Sequence, residues 1–460
     1  MLPLPRRRRI PPPAFLALGL LGAIVIGGTL LRLPIAHAGP TVGWLDALFT
    51  ATSAVCVTGL TTVDTGTRFT GFGRAVILIL IQLGGLGVMT VGTVVLAALG
   101  QRPTTVVREL LRGYAGHAPT IHARNVFRTI MLATLTIELA GASLLLVAFL
   151  GEMPAGQAIW MAVFHSVSAF CNAGFGLLPD NLMRYADRPL VNLTIMALII
   201  GGGLGFVVLV EIGNWLRSRR DAVGLPFRLS LHSRVILVGT VVAVVGGAVA
   251  ILVLEWRHAL APRPLGEKIL ISAFQSVTAR TAGFNTIDIA SLGTPTLMVI
   301  MLLMFVGAGP GSMAGGIKLT TAASLLALVR HRLRGAREPR LFGRAVGEST
   351  LERAVVLTTL ASLLVVAAVA VIEAVHHQER SFDPAAAHAD FLSVLFEAIS
   401  AFGTVGLSMN LTPLLPGGAK VVIMFLMFVG RLGPLWLMDF FQHLPPPPPV
   451  RHAPEELMVG

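Results

Sequence analysis

"FHSVSAFCNAGFGLLPDNL" (residues 164–182) is a short, partly polar stretch between two long apolar runs. Its apolar part is too short to cross a bilayer, which takes about 20 residues. Ser166, Ser168 and Asn172 would be costly facing lipid, and Gly174 falls where a helix over 164–171 must end. Such a stretch predicts a helix that enters the apolar zone and stops inside it.

Three other stretches echo it. Residues 49–60 read "FTATSAVCVTGL", 274–284 "FQSVTARTAGF" and 396–407 "FEAISAFGTVGL". Each opens on Phe, carries Ser or Thr four residues later, and closes on Gly plus a bulky apolar residue. The Phe-to-Gly offset is ten in copies one, two and four, and nine in copy three. The glycines, Gly59, Gly174, Gly283 and Gly406, recur at intervals of 115, 109 and 123 residues. Each copy lies between two apolar runs, so the chain reads as four units of long helix, short helix, glycine segment and long helix.

The bilayer gives this pattern a physical meaning. Irregular backbone at membrane depth survives only where protein buries it or water reaches it. Four re-entrant helices can surround one aqueous axis, and their C-termini then turn partial negative charge toward it, which favours a cation. Glycine permits the positive φ that a carbonyl-lined turn needs, and a ring of carbonyls can replace an ion's hydration shell. A single such glycine would read as an ordinary helix cap; the fourfold recurrence favours the pore. Ser53, Ser168, Thr278 and Ser400 read as hydroxyls bonded back to their own helices rather than as ion ligands.

Composition agrees. The 460 residues are 54% hydrophobic and 13% charged, with mean hydropathy +0.79, against about a quarter charged in soluble domains. Apolar runs at 14–31, 75–99, 126–150, 190–212, 235–254, 296–309, 354–375 and 420–441 predict about eight spans. The expected fold class is therefore an all-α polytopic membrane protein with four re-entrant pore helices around one pseudo-fourfold pore. The formal charge of +12 follows membrane orientation rather than nucleic acid. Arg6, Arg7, Arg8 and Arg9 share a side with Arg102, Arg108, Arg112, Arg217, Arg219, Arg220 and the basic loop 330–353. Asp64, Glu152, Asp180, Asp187, Asp288 and Asp383 fall on the other. This bias predicts both termini in the cytoplasm. Two cysteines, Cys56 and Cys171, exclude a disulfide framework. No nucleophile motif, phosphate loop or dinucleotide fingerprint follows a strand-like segment, so the chain is not expected to be an enzyme.

The expected organisation is a basic N-terminus (1–12), repeat one (13–100), a cytoplasmic loop (101–125), repeat two (126–220), repeat three (221–345), repeat four (346–443) and a proline-rich cytoplasmic tail (444–460). Within repeat three, "GAGPGSMAGG" (307–316) interrupts the second long helix, expected at 296–330. Proline costs about 3 kcal/mol inside a helix and each glycine about 1, so this predicts a broken helix lining a cavity. The glycine clusters at 84–87 and 202–205 lack proline and read as close helix packing. Arg431, in "FVGRLGP", needs a cavity or partner at membrane depth. Glu138 reads as a proton or ion relay or, preferably, as a hydrogen-bonded structural carboxyl.

The five ordered segments "TSAVCVTGLTT", "FHSVSAFCNAGFGLLPDNL", "FQSVTARTAGFNT", "MFVGAGPGSMAGGIK" and "FEAISAFGTVGLSMNLTP", the last followed by "FVGRLGPL", resemble the Trk/Ktr/HKT superfamily of potassium transporters. The likeness is nearest to its KtrB-like membrane subunits. It implies a selectivity filter of Val57, Thr58 and Gly59, of Asn172, Ala173 and Gly174, of Thr281, Ala282 and Gly283, and of Thr404, Val405 and Gly406, with K+ held at carbonyls near the four glycines. It implies a gate loop containing Gly307, Gly309, Pro310, Gly311, Ser312, Gly315 and Gly316. It places Arg431 beneath the filter as an electrostatic barrier, the alternative being a structural salt bridge, with Lys318 as a weaker gate partner. In some plant relatives serine replaces the first filter glycine and goes with Na+ transport; Gly59 favours K+. The family also implies K+ uptake across a bacterial cell membrane, homodimerisation within membrane lipid, stimulation by Na+, and a separate RCK-type octameric ring that binds ATP or ADP. The competing reading is a TrkH-like K+ or Na+ conductor with different coupling or a different partner. "GLLPDNL" would return to the extracellular mouth, where Asp180 could draw cations.

Overall fold

The computed structural model describes residues 12–98, 123–218, 229–335, 338–379 and 384–433, whose regular secondary structure is almost wholly helical. The N-terminal arginines 6–9, most of the loop 101–125, residues 219–228, Asp383 and the tail 444–460 lie outside the described residues.

Four groups of helices follow one another. The first holds α1 (Pro12–Arg32), the short α2 (Trp44–Val55) and α3 (Gly71–Ala98). The second holds α4 (Ala123–Phe149), the short α5 (Ala155–Phe170), α6 (Pro189–Leu204) and α7 (Phe206–Ser218). The third holds α8 (Leu231–Glu255), the short α9 (Leu265–Thr278), α10 (Thr294–Phe305) and α11 (Leu319–Leu333). The fourth holds α12 (Glu348–Glu379), α13 (Pro384–Gly403) and α14 (Gly417–Leu432). In the basic loop, β1 (Arg340–Leu341) and β2 (Arg344–Ala345) form a small antiparallel hairpin, which turns at Phe342 and Gly343, φ 49° and 77°. The sequence carried no strand-like run there.

Among the described residues, Arg128–Phe149, Leu231–Glu255 and Glu348–Val375 are long and apolar enough to cross a membrane. α6 and α7 qualify only as a pair, bent by 102°. This corrects the reading of glycines 202–205 as packing residues alone. Gly205 sits at φ 86°, ψ 152°, a region open essentially to glycine, so the helix ends there without proline. Leu16–Arg32, Gly71–Gly87 and Thr294–Phe305 are shorter apolar helices, and the last gives way to irregular chain from 306 to 318. Long side chains such as Leu132, Leu139, Val147, Val242 and Val253 stand exposed on these helices, as lipid-facing positions do.

The short helices start earlier than the repeat alone indicated. α5 runs for 16 residues and α9 for 14. Pro154 and Pro264 stand at their N-caps, where a missing N–H costs nothing. The opening Phe of every copy, Phe49, Phe164, Phe274 and Phe396, is fully buried. Truncating such a ring costs about 3–5 kcal/mol, which anchors each short helix between its two long neighbours.

The packing order then positions the glycine segments. Within the groups, α2 lies against α1 and α3, α5 against α4 and α6, α9 against α8, and α13 against α12 and α14. Between groups, α3 packs on α5, α6 on α9, α10 on α13, and α14 on α2. The last pairing joins the end of the described chain to its beginning, so the C-termini of the four short helices face one another.

Candidate functional site

α2 ends in a Schellman cap, the turn in which the first residue past a helix adopts the left-handed conformation. Ser53 O accepts from Thr58 N–H at 2.8 Å and Ala54 O from Val57 N–H at 3.1 Å, with Val57 at φ 49°. Copy two repeats this through Ala173 N–H to Ser168 O (2.8 Å), and copy four through Val405 N–H to Ser400 O (2.8 Å). Asn172 and Thr404 hold φ 56° and 48°. In copy three, Ala282 N–H reaches Thr278 O at 2.9 Å, four residues back rather than five. The missing residue is thus taken up in the cap, and Thr281 still reaches φ 74°. β-branched residues at positive φ cost about 1–2 kcal/mol each, so Val57, Thr281 and Thr404 are held there by their surroundings.

Two residues further on, Gly59, Gly174, Gly283 and Gly406 adopt φ of 92°, 69°, 77° and 94°. A methyl group on Gly174 would stand 2.8 Å from Ala282 O and 2.9 Å from Gly283 Cα. On Gly59 it would collide with Ala173 O and lie 3.0 Å from Gly174 Cα. On Gly283 it would collide with Val405 O, and on Gly406 with Thr58 O, each 3.1 Å from the next glycine's Cα. Every glycine therefore abuts the carbonyl just before the glycine of the following copy, and the series closes from copy four to copy one. The twelve residues of these triplets lie side by side with no room for a Cβ at the third position.

The hydroxyls four residues after each Phe do not bond their own helices, contrary to expectation. Ser53 Oγ accepts from Gly59 N–H at 3.0 Å and Ser400 Oγ from Gly406 N–H at 3.1 Å. Ser168 Oγ donates to Phe175 O at 2.8 Å. The cap folds the chain back over the last helical turn, which puts the glycine segment rather than the preceding turn within reach. Thr278 Oγ1, in the shortened copy, has no partner among the described residues.

Below the triplets lies the irregular segment 306–318. Gly307 N–H donates to Ile317 O (2.9 Å) and Leu319 N–H to Ala308 O (3.0 Å), closing it into a doubled loop. Gly309 N–H donates to Gly203 O (3.0 Å) and Met313 N–H to Gly202 O (3.2 Å). Those carbonyls are free because α6 stops at Gly205, so the break in group two is the docking point for the loop of group three. A methyl on Gly205 would lie 3.0 Å from Pro310 O and 3.2 Å from Gly311. Gly311 and Gly316 hold φ 69° and 63°, Ser312 Oγ accepts from Ala314 N–H at 3.2 Å, and Gly315 is pressed against the Thr404 side chain.

Arg431, 3% exposed, spans three groups. From α14 it donates to Met313 O in the loop, to Gly84 O of α3 at 2.6 Å and to Gly85 O at 3.3 Å. The partners are carbonyls, so the alternative of a salt bridge is not what the geometry provides. Lys318 Nζ donates to Ala314 O at 2.5 Å. Gly84, Gly202 and Gly430 occupy one register: a methyl on any of them would collide with the carbonyl of Val55, Phe170 or Phe402 in the last helical turn, six residues after that copy's Phe. The residue after each is Gly85, Gly203 or Arg431, and the shared run "MFVG" aligns Ala308 with them.

Glu138 is buried and accepts from Gln82 Nε2 at 3.1 and 3.0 Å, while Cys171 Sγ donates to Gln82 Oε1 at 3.3 Å. Asp180, at the partly exposed return from Gly174, is paired with Arg184 at 2.9 Å. Met313 escaped the sequence reading because its backbone carries its contacts. The aligned glycines of the second helices were the signal that could have pointed to it.

Comparison with known proteins bears on what this arrangement does. The family model described as a cation transport protein, TrkH, matches residues 23–447. The Ktr system potassium uptake protein B of Bacillus subtilis is 40% identical over 94% of this chain and 93% of its own. The potassium/sodium uptake protein NtpJ of Enterococcus hirae is 35% identical over 93% of this chain and 92% of its own. The crystal structure of the potassium transporter TrkH from Vibrio parahaemolyticus shares the fold, with a TM-score of 0.71 at 17% identity over 94% of this chain and 86% of that one. These relatives are transporters rather than enzymes. On the strength of a family match running nearly end to end, this chain belongs to the TrkH family of cation transport proteins.

Proposed function

We propose that this chain takes up K+ across a bacterial cell membrane through the ring formed by Gly59, Gly174, Gly283 and Gly406. The observation that carries the reading is the closure of the four glycine segments on one another, each at the C-terminus of a short helix. In this reading each group is one pore repeat, eight spans surround four re-entrant helices, and both termini are cytoplasmic. Carbonyls of the triplets replace the hydration of the ion, and the helix C-termini add partial negative charge. Each wall shares only one glycine, so the filter is short and its preference for K+ looser than that of a channel with several carbonyl rings.

The loop 306–318 is the gate in this proposal, with Arg431 the barrier that holds it closed and Lys318 an auxiliary tie. The identity to a Ktr system protein supports a partner subunit; in this proposal that partner is a cytoplasmic nucleotide-binding RCK-type ring, the chain is a homodimer, and uptake is stimulated by Na+. A second reading, a conductor of both K+ and Na+ with other partners, is favoured by the likeness to NtpJ.

The test is uptake of K+, Rb+ and Na+ in a bacterium stripped of its own potassium uptake, with and without a co-expressed ring protein. Growth at low K+ with K+ and Rb+ preferred over Na+, and faster with ATP than ADP on the ring, is the expected result. Uptake of Na+ as strong as that of K+ would favour the second reading, and no cation uptake would sink both.

A further inference from the structure

The residue just after each copy's opening Phe shares one register: Thr50, His165, Gln275 and Glu397. All four are almost completely buried. In three copies this side chain crosses to the chain that returns from the glycine.

Glu397 makes the fullest contact. Its Oε1 accepts from Ser408 Oγ, from Thr412 N–H at 3.1 Å and from Thr412 Oγ1 at 2.9 Å. Ser408 stands two residues past Gly406, and Thr412 opens the short turn Thr412–Leu414. His165 Nδ1–H donates to Met161 O at 2.9 Å, which leaves Nε2 to accept from Leu177 N–H at 3.4 Å, three residues past Gly174. Gln275 Nε2 donates to Thr286 Oγ1 at 3.5 Å, three residues past Gly283. Copy one differs, because Thr50 Oγ1 bonds Asp46 O of its own helix at 2.8 Å.

We propose that Glu397, with His165 and Gln275 in the same register, are positioning residues that fix the chain on the outer side of the glycine ring and thereby set its discrimination among cations. This rests on the reading of that ring as the filter. The serine hydroxyls hold the segment at the glycine itself, so a second tie two to six residues later leaves it little freedom to widen or narrow. A ring that cannot adjust penalises the ion whose size it does not match; a ring that adjusts accepts both K+ and Na+. All three hydrogen bonds to Ser408 and Thr412 fall on Oε1, so in this proposal the tie is an acceptor that an amide oxygen can replace.

The test compares E397A, E397Q, S408A and T50V in the uptake-deficient bacterium, at matched surface abundance, by apparent affinities for K+ and Na+. Loss of a hydrogen bond of this kind is worth about fivefold. E397A and S408A should each lower the K+ over Na+ affinity ratio by about that factor. E397Q should keep it, because Gln presents the same acceptor, and T50V should keep it, because Thr50 braces nothing beyond its helix. S408A leaves the buried carboxyl in place, so it decides the matter if E397A does not reach the membrane. An unchanged ratio in S408A, or a fallen one in E397Q, would overturn the proposal. A wild-type chain that takes up no cation would instead overturn the reading on which it rests.

Discussion

At the residue scale the four glycines differ from most others in the chain because two requirements meet in them. Each needs a positive φ, and each has a neighbouring backbone where a Cβ would stand. Gly59→Ala and Gly406→Ala would force the next carbonyl aside as well as straining the residue by about 1–2 kcal/mol. K+ uptake should fall by about tenfold or more in each, with surface abundance near wild type; retained uptake and K+ preference would remove these glycines from the filter. Gly311, equally left-handed but with open space where its Cβ would be, meets only the first requirement. The glycine positions were legible in the sequence because they recur. The destinations of Ser53, Ser168 and Ser400 were not, since a hydroxyl two or three residues before a helix end serves the helix or the returning chain according to a cap that the residue types do not specify. Val57 and Thr404 show why: β-branched residues argue against a left-handed cap, yet both adopt it.

At the element scale the loop and the bent helix are two halves of one contact. The composition of 307–316 announced a break, and the structure has one. The break at Gly205 was hidden, because "GGGLG" also satisfies close packing, and indeed Gly202 does press on Phe170 O. What separates a packing glycine from a terminating one is whether another segment accepts the freed carbonyls, and here that segment lies about a hundred residues away in sequence. Arg431 ties the loop from the other side through Met313 O. Arg431→Ala should leave that carbonyl unpaired and loosen the closed arrangement, at a cost of about 1–3 kcal/mol. Uptake is then expected to rise several-fold at normal surface abundance; lower or unchanged flux would show that Arg431 supports the fold and not closure.

At the scale of the whole molecule, charge bias sets an orientation that labelling can read. Cys56 and Cys171 are both fully buried, which makes the natural chain a quiet background for a membrane-impermeant maleimide. Asp187→Cys, in the exposed turn before α6, should be labelled in intact cells. Arg344→Cys, in the exposed β-hairpin, should be labelled only after permeabilisation, and the reverse pattern would invert the topology. The helical fold class was readable from the apolar runs, and the four echoes of one motif marked where the helices Trp44–Val55, Ala155–Phe170, Leu265–Thr278 and Pro384–Gly403 end. The lengths of the long helices were less readable, because bends replace straight spans where the loop enters.

The register that contains Gly85, Gly203, Ala308 and Arg431 has a consequence for how such a protein can arise. A pore assembled from four identical chains must repeat any residue it places there, and four guanidinium groups gathered on one axis repel one another. Tandem duplication within one gene removes that constraint, since each quarter can then diverge alone. One copy carries the arginine, two carry glycine and one alanine, and in the third the second helix gives way to the irregular segment 306–318. Imperfect symmetry is in this sense open to a single polypeptide, which can hold a lone charge and a lone broken helix where a homotetramer would have to hold four of each.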